Sequence, residues 1–189
     1  MLLAMAVPNE VVDLATACIA SVNATVGIEL DFTPETLPLL DHYAKEVLDC
    51  PEDELLALTA PMCGAYFGEV VRRRFEAARW HAPAQEHALW RIEFERVFLY
   101  FNPVGVALDV ILETNGPYAS ELLFNPKDEE LITSALAVYS DIRETDYFTF
   151  SVRLEALEQV VLNMGAAADD KHRIYGSGDY ANAAKKSLN

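Results

Sequence analysis

Positive charge is scarce in this sequence, which has 14 Lys and Arg residues, 30 Asp and Glu residues and a formal net charge of −16. An excess of negative charge opposes binding to phosphate backbones and to anionic lipid surfaces. Nucleic acid is therefore not expected as a partner. No uninterrupted apolar run approaches the ~20 residues that a membrane span requires. We therefore expect a soluble protein without a membrane partner.

Cysteine is also rare, with Cys18, Cys50 and Cys63 as its three occurrences. Their number is odd and they show no C-x-x-C spacing, so neither a disulfide framework nor a zinc site is indicated. Free thiols suit a reducing compartment. The expected localisation is the cytoplasm.

The sequence lacks a glycine-rich phosphate loop, a G-x-S-x-G elbow and an H-E-x-x-H motif. Its most metal-like cluster is His81, Glu86 and His87, which has neither the i,i+4 spacing of a helical site nor an obvious fourth ligand. We interpret this cluster as part of a surface loop and predict no metal and no cofactor. These absences favour a non-catalytic protein, although they do not exclude an enzyme.

The composition is typical of a globular protein, with 52% hydrophobic and 23% charged residues in a chain of 189. This length suits one hydrophobic core. We predict a single α+β domain over residues 1–165, in which helices pack on a small antiparallel sheet. Residues 166–189 contain three consecutive alanines and a Gly-Ser-Gly sequence without apolar periodicity, which predicts a flexible C-terminal tail.

Helical spacing of apolar residues precedes and follows a central pair of strands. An apolar stripe begins at Val11, and a second helix begins after Thr33, with Asp41 on its solvent face. A third helix begins at Pro51, and Pro61 is expected to break or kink it. Residues 90–95 alternate polar and apolar, and residues 97–101 are apolar and aromatic, which predicts a hairpin. Asn102 and Pro103 then open a helix, and residues 120–124 can form one more strand.

Glycines recur one turn apart in the segment that follows Pro61. Gly64, Gly68, Val71 and Phe75 lie on one helical face, so another element can approach the backbone closely there. We predict close packing within the chain, and the alternative is a ligand or partner resting on the glycines. Glu69 precedes two arginines by three and four residues, which indicates ion pairs on the helix surface.

Acidic residues are concentrated in the first third of the chain, where residues 1–61 contain eleven carboxylates and one lysine. Glu52, Asp53 and Glu54 form the densest group and suit the first turn of a helix. Such a surface can steer a basic protein partner. The alternative is that the charge serves solubility alone.

Two segments carry a resemblance to a protein family. Residues 30–43 read LDFTPETLPLLDHY, and residues 64–75 read GAYFGEVVRRRF with a tryptophan soon after. Together they resemble a group of uncharacterised bacterial domains of unknown function with an LDxTxExLxxLDxY … GAYxGEV … W pattern. The resemblance covers roughly residues 28–101 and implies an α+β domain without implying an activity.

Two classes of function follow from these patterns. The first is a non-catalytic interaction or regulatory module, such as an immunity-like protein, that binds a basic partner through Glu52, Asp53 and Glu54. The second is a small enzyme or ligand-binding protein with a site over the Gly64 and Gly68 face. The side chains expected at that second site, or at a partner surface there, are Tyr66, Glu69, Arg73, Trp80, His81 and Trp90.

Overall fold

Helices surround a small antiparallel sheet in the computed structural model, which describes residues 6–48, 52–168 and 173–187. This is the α+β architecture predicted from the sequence, built around one main hydrophobic core. The helices are α1 (Asn9–Val26), α2 (Leu37–His42, followed by a π-helical turn at Tyr43–Val47), α3 (Asp53–Arg74), α4 (Pro103–Leu112), α5 (Glu129–Leu136), α6 (Glu144–Tyr147), α7 (Phe150–Ala167) and α8 (Ser177–Ser187). The strands are β1 (Ala78–His81), β2 (Arg91–Phe94), β3 (Leu99–Phe101) and β4 (Leu123–Phe124).

The four strands pair in sequence order, and every pair is antiparallel. The predicted hairpin corresponds to β2 and β3, and the strand expected within residues 120–124 corresponds to β4. Strand β1 was not predicted, although its four residues alternate between buried and half-buried side chains. It pairs with β2 so that Trp80 lies opposite Ile92.

Helix α3 runs without interruption across Pro61, which corrects the expectation of a break there. A proline inside a helix lacks the N–H that would bond four residues back, at a cost of ~3 kcal/mol. Ala60, Pro61 and Met62 are all buried against neighbouring elements. Tertiary packing therefore holds the helix together where local propensity alone would end it.

The glycines of α3 allow close contact with α4 and β1, as predicted. A Cβ atom on Gly64 would lie 2.7 Å from the Cα atom of Val104. A Cβ atom on Gly68 would lie 2.3 Å from two ring atoms of Trp80. Since real Cβ atoms do not approach neighbours this closely, only glycine permits this arrangement of α3, α4 and β1.

Asn102 begins α4 and joins it to the preceding loop. Its side-chain oxygen accepts hydrogen bonds from the backbone N–H groups of Val104 (2.8 Å) and Gly105 (3.1 Å). Its amide nitrogen donates to the carbonyl oxygens of His87 and Ala88. The helix start predicted at Asn102 and Pro103 is confirmed.

The segment from Tyr175 to α8 covers one face of the sheet. The flexibility expected for residues 166–189 stays a prediction. Tyr180 is fully buried, stacks on Phe98 and shares its single hydroxyl proton between the carbonyl oxygens of Phe94 and Val97. One tyrosine makes the main contact, so the segment shows no periodic apolar stripe. An anchor of this kind leaves little trace in a sequence pattern.

The same C-terminal segment buries Glu93. The alternation of polar and apolar residues in β2 had predicted that Glu93 faces solvent. Its carboxylate accepts hydrogen bonds from Nε of Arg79 (2.9 Å) and Nε of Arg91 (2.8 Å). Arg79 also donates to the carbonyl oxygen of Tyr175, which belongs to the covering segment. Two guanidinium groups thus compensate a carboxylate that has no exposed surface.

Candidate functional site

A cavity of about 460 Å³ opens between α5, α7 and the sheet. Its walls are largely apolar, and its rim is formed by exposed polar residues. Helix α7 supplies Arg153, Ala156 and Leu157, which lie on one face because they are spaced by three and four residues. The other lining residues are Phe67, Phe101, Val106, Asn115, Ser120, Glu121, Leu122, Phe124, Glu129, Ile132, Thr133, Leu136, Tyr139, Ser140 and Tyr147.

Arg153 forms the polar end of this cavity. Its terminal nitrogens donate to the Tyr147 hydroxyl (3.0 Å) and to Oδ2 of Asp109 (3.1 Å). The guanidinium also lies over the ring of Tyr147, 4.2 Å from its centroid. Nε of Arg153 is buried and has no hydrogen-bond partner. Among the described residues, every other buried side-chain nitrogen or oxygen has one.

Asp109 lies behind the arginine and is almost entirely buried. Besides the bond from Arg153, it accepts hydrogen bonds from the backbone N–H of Gly116 (2.7 Å) and from the hydroxyl of Ser120. These three donors satisfy the carboxylate without any contribution from water or ligand. Asp109 therefore fixes the position of Arg153 and neutralises its charge.

Asp41 holds the start of α7 and so positions Arg153. Its carboxylate accepts hydrogen bonds from the backbone N–H groups of Phe150 (2.6 Å) and Ser151 (3.2 Å) and from the Ser151 hydroxyl (2.6 Å). Burial raises the pKa of the Asp41 carboxyl, and these hydrogen bonds offset only part of that effect. Asp41 was expected on the solvent face of its helix, and the structure corrects this because α7 packs over it.

Glu69, the first of the predicted site residues, is buried but fully paired. Arg72 donates to both carboxylate oxygens (2.7 and 3.0 Å), Nε of Arg73 lies 3.4 Å from Oε2, and Nε1 of Trp80 donates to Oε1 (2.8 Å). Burial alone would raise the pKa of Glu69. The hydrogen bonds from Arg72 and Trp80 and the two positive charges outweigh it, so the pKa lies below its usual value.

Tyr66 and Arg73 extend the same cluster along α3. The Tyr66 hydroxyl accepts a hydrogen bond from the backbone N–H of Phe32 (2.9 Å) and lies 2.8 Å from Oγ1 of Thr36. Arg73 lies over the ring of Phe32, 3.8 Å from its centroid. Tyr66, Glu69, Arg73 and Trp80 are therefore brought together, but Trp80 and α4 occupy the space over the glycines.

Trp90 and His81 lie on either side of this cluster. Trp90 is buried, donates from Nε1 to the carbonyl oxygen of Pro83 (2.9 Å) and packs edge-to-face with Trp80. Burial and the positive charge of Arg91 lower the pKa of His81, which sits at the end of β1. The tryptophans thus close the protein core over α3.

His87 and Glu86, the other members of the metal-like cluster, do not converge with His81. The ring of His87 packs against Trp90 and its Nε2 lies 3.0 Å from a carboxylate oxygen of Glu10. Across residues 6–48, 52–168 and 173–187, no group of three or more His, Cys, Asp or Glu side chains is arranged to hold a metal ion.

Apart from the buried Asp41 and the half-buried Glu10, the described acidic residues of the N-terminal third lie at the surface. Glu52, Asp53 and Glu54 are exposed where α3 begins. Leu55 and Leu58 follow them and are 44% and 57% exposed. The start of α3 therefore presents carboxylates beside apolar side chains. Within the described part of residues 1–61, the other exposed carboxylates are Asp13, Glu29, Asp31, Glu35 and Glu46.

None of the protein-family models, curated proteins or solved structures compared with this chain matches it. The resemblance to uncharacterised bacterial domains therefore stays a prediction. No helix among the described residues is long and apolar enough to cross a membrane.

The sequence patterns did not identify Arg153, Asp109 and Ser120 as members of one site. One signal was present, because Asp109 is the single charged residue in the helix sequence PVGVALDVIL. A carboxylate within an otherwise apolar helix indicates a buried pair. The sequence does not show which cation completes that pair.

Proposed function

We propose that this protein binds a small, mainly apolar molecule in the cavity between α5 and α7. The observation that carries the proposal is an apolar cavity of about 460 Å³ that is lined at its polar end by Arg153, whose guanidinium is held in place by Asp109 and Tyr147.

The dimensions and chemistry of the cavity support this proposal. Small-molecule sites measure roughly 300–1,000 Å³ and combine apolar walls with a few polar groups that orient the ligand. A cavity of about 460 Å³ falls within this range. Phe67, Phe101 and Leu157 provide buried apolar walls, and Arg153 provides a positioned donor.

A plug at the rim tests the proposal without changing the core. Thr133 lines the cavity and is exposed, so Thr133→Trp should fill the opening and leave the fold intact. We expect a set of small neutral aromatic compounds to include molecules that bind the unmodified protein and fail to bind this variant in saturation-transfer NMR. Val138→Trp is the matched control, since Val138 is 72% exposed nearby and does not line the cavity. Binding that Thr133→Trp leaves unchanged would contradict the proposal.

The second candidate function is a non-catalytic interaction or regulatory module, immunity-like in type, that binds a basic protein. It is supported by the exposed Glu52, Asp53 and Glu54 beside the exposed Leu55 and Leu58. Opposite charges would accelerate association, and the apolar side chains would supply contact area. Steering of this kind weakens as the screening length falls from ~30 Å at 0.01 M salt to ~8 Å at 0.15 M.

A salt series tests the second candidate. A basic partner recovered from the native host at low salt should bind more slowly as salt rises, and Glu52→Gln, Asp53→Asn and Glu54→Gln together should reduce that salt dependence. If binding of the recovered partner depends on neither salt nor these substitutions, the acidic residues serve solubility and not partner binding.

The matched control removes the same number of charges from the C-terminal half of the chain. It should leave the salt dependence of binding unchanged. Its three substitutions fall on the exposed carboxylates Glu130, Asp141 and Glu155.

We also propose a cytoplasmic location. Cys18 and Cys63 are free and buried, and Cys50 lies outside the described residues. A hydrogen bond with Cys63 and burial raise the pKa of the Cys18 thiol, which keeps it protonated. Free thiols are usual in a reducing compartment.

A further inference from the structure

A second cavity, of about 360 Å³, lies where the connection between β2 and β3 meets the turn before α5 and the end of α7. Three exposed basic side chains line it, namely Arg96 from the β2–β3 connection, Lys127 from the turn before α5 and Arg173 from the segment before α8. Among the described residues, Asp128 is the single carboxylate that lines it. The local charge is therefore positive in a chain whose net charge is −16.

These three side chains also differ from the other lysines and arginines in their pairing. Each of the other Lys and Arg side chains that the structure describes lies within ion-pair distance of a carboxylate. Arg96, Lys127 and Arg173 have no such partner among the described residues. Since acidic residues outnumber basic ones by 30 to 14 in this chain, three unpaired cations around one cavity indicate a site for an anion.

Charge and geometry favour a phosphate group. Three positive charges and the one negative charge of Asp128 leave a net charge of +2 at the cavity, and a phosphate monoester carries about −1.5 to −2 at pH 7. Guanidinium groups match phosphate oxygens with paired N–H donors, and a lysine adds a point charge. The acidic remainder of the chain repels an extended polyanion such as nucleic acid, but exposed charges more than ~8 Å away are screened at 0.15 M salt. The site therefore suits a small phosphate.

The cavity also has an apolar wall. Val97 and Phe98 line it and are buried. Tyr175 joins this wall and is fixed to the connection between β2 and β3, because its backbone N–H donates to the carbonyl oxygen of Glu95 (2.9 Å) and its ring packs edge-to-face with Phe98. Arg173 lies over the ring of Tyr175, 4.6 Å from its centroid, which holds the guanidinium at the cavity.

We infer that this cavity binds a small phosphate monoester with an apolar organic group. The phosphate contacts Arg96, Lys127 and Arg173, and the organic group covers the apolar wall. No described residue lines both this cavity and the one between α5 and α7. The site is therefore independent of the ligand proposed for that other cavity.

Isothermal titration calorimetry with 1-naphthyl phosphate, inorganic phosphate and 1-naphthol separates the contributions of charge and apolar contact. We expect naphthyl phosphate to bind at least about tenfold more tightly than inorganic phosphate, which lacks the apolar group. Thr133→Trp, which fills the other cavity, should bind naphthyl phosphate as tightly as the unmodified protein does. The same variant should bind naphthol at least about tenfold more weakly than naphthyl phosphate. Higher salt should weaken the binding of naphthyl phosphate, since salt screens exposed charges.

Substitutions at the cavity connect this preference to its charged residues. Arg96→Gln, Lys127→Gln and Arg173→Gln each remove one positive charge and should weaken the binding of naphthyl phosphate about fivefold, the upper end for an exposed ion pair. Asp128→Asn removes the negative charge and should tighten this binding by about two- to fivefold. Arg143→Gln is the matched control, because Arg143 is exposed and lines neither cavity.

The opposite effects expected at the neighbouring positions 127 and 128 distinguish charge recognition from a loss of folding, and urea unfolding curves establish that each variant is folded. Equal affinities of Thr133→Trp for naphthyl phosphate and naphthol would overturn the inference. The same holds if the three Gln variants weaken binding no more than Arg143→Gln does, or if naphthyl phosphate shows no saturable binding. Loss of naphthyl phosphate binding in Thr133→Trp would assign the probe to the other cavity, which overturns this inference and leaves the proposed function standing.

Discussion

Adding one methyl group to Gly68 should destabilise the protein, even though alanine favours helices more than glycine does. The new Cβ atom would lie 2.3 Å from two ring atoms of Trp80. That ring is held by a hydrogen bond from its Nε1 to Glu69 (2.8 Å) and by an edge-to-face contact with Trp90. Gly68→Ala therefore forces either the indole or the helix to move.

The expected loss can be worked out from the interactions that must change. Overpacking costs about 1–3 kcal/mol, and a displaced indole also loses a hydrogen bond to a charged group, worth about 1.5–3 kcal/mol. The higher helix propensity of alanine relative to glycine offsets about 1 kcal/mol of this loss. The net destabilisation is roughly 1.5–5 kcal/mol, which lowers Tm by about 3–20 °C at 2–4 °C per kcal/mol for a chain of this size.

Gly165→Ala is the matched control. It lies in α7, where an added Cβ atom meets nothing within 4 Å. This variant should be equally or more stable than the unmodified protein, by up to about 1 kcal/mol. Urea unfolding followed by circular dichroism measures both variants.

A double-mutant cycle with Trp80→Phe identifies the contact. Phenylalanine lacks the outer indole atoms that meet the Gly68 methyl group, so Gly68→Ala should cost at least ~1 kcal/mol less in that background, within the usual range of coupling energies. A Gly68→Ala variant as stable as Gly165→Ala, or an unchanged cost in the Trp80→Phe background, would refute the close-packing explanation.

Two further predictions concern charged and titrating groups in the core. Glu69→Gln should lower stability by about 1–2 kcal/mol at pH 7, because hydrogen bonds from Arg72 to a neutral amide are weaker than those to a carboxylate. Since the folded-state pKa of Glu69 is lowered, its contribution is present above about pH 4.5 and is lost as pH falls, so urea unfolding of the Gln variant should show a shallower acid dependence. Tyr180→Phe should lower stability by about 1–3 kcal/mol through the lost hydrogen bonds to Phe94 and Val97. Burial raises the pKa of the Tyr180 hydroxyl, so its contribution is lost as pH rises above about 10, and the Phe variant should not show that alkaline loss. Unaltered acid or alkaline profiles would contradict the respective prediction.

The predicted site residues illustrate how far spacing along one helix can be interpreted. The pairing of Glu69 with Arg72 and Arg73 was predictable, because residues three and four apart face each other on any helix. The burial of that carboxylate was not, since it depends on Trp80, which arrives from β1. A surface ion pair was expected, and a buried structural cluster was found.

The cavity shows the opposite case, in which no single segment contains the pattern. Arg153 and Asp109 are separated by 44 residues, and Asp109 and Ser120 by 11. Each is an ordinary residue in its own segment. Their convergence depends on the placement of α7, and the contact between Asp41 and the start of that helix spans more than a hundred residues.

By itself, the sequence determined those features whose causes lie within a few residues. The glycine spacing at Gly64 and Gly68 required a close neighbour, Asn102 with Pro103 required a helix start, and the alternation after Trp90 required a strand. Tertiary structure alone decided that α3 continues through Pro61, that Glu93 is buried and that Tyr180 anchors the C-terminal segment. In each of these, the free energy of contacts with distant segments outweighs a local preference of at most a few kcal/mol, and those contacts exist only once the chain has folded.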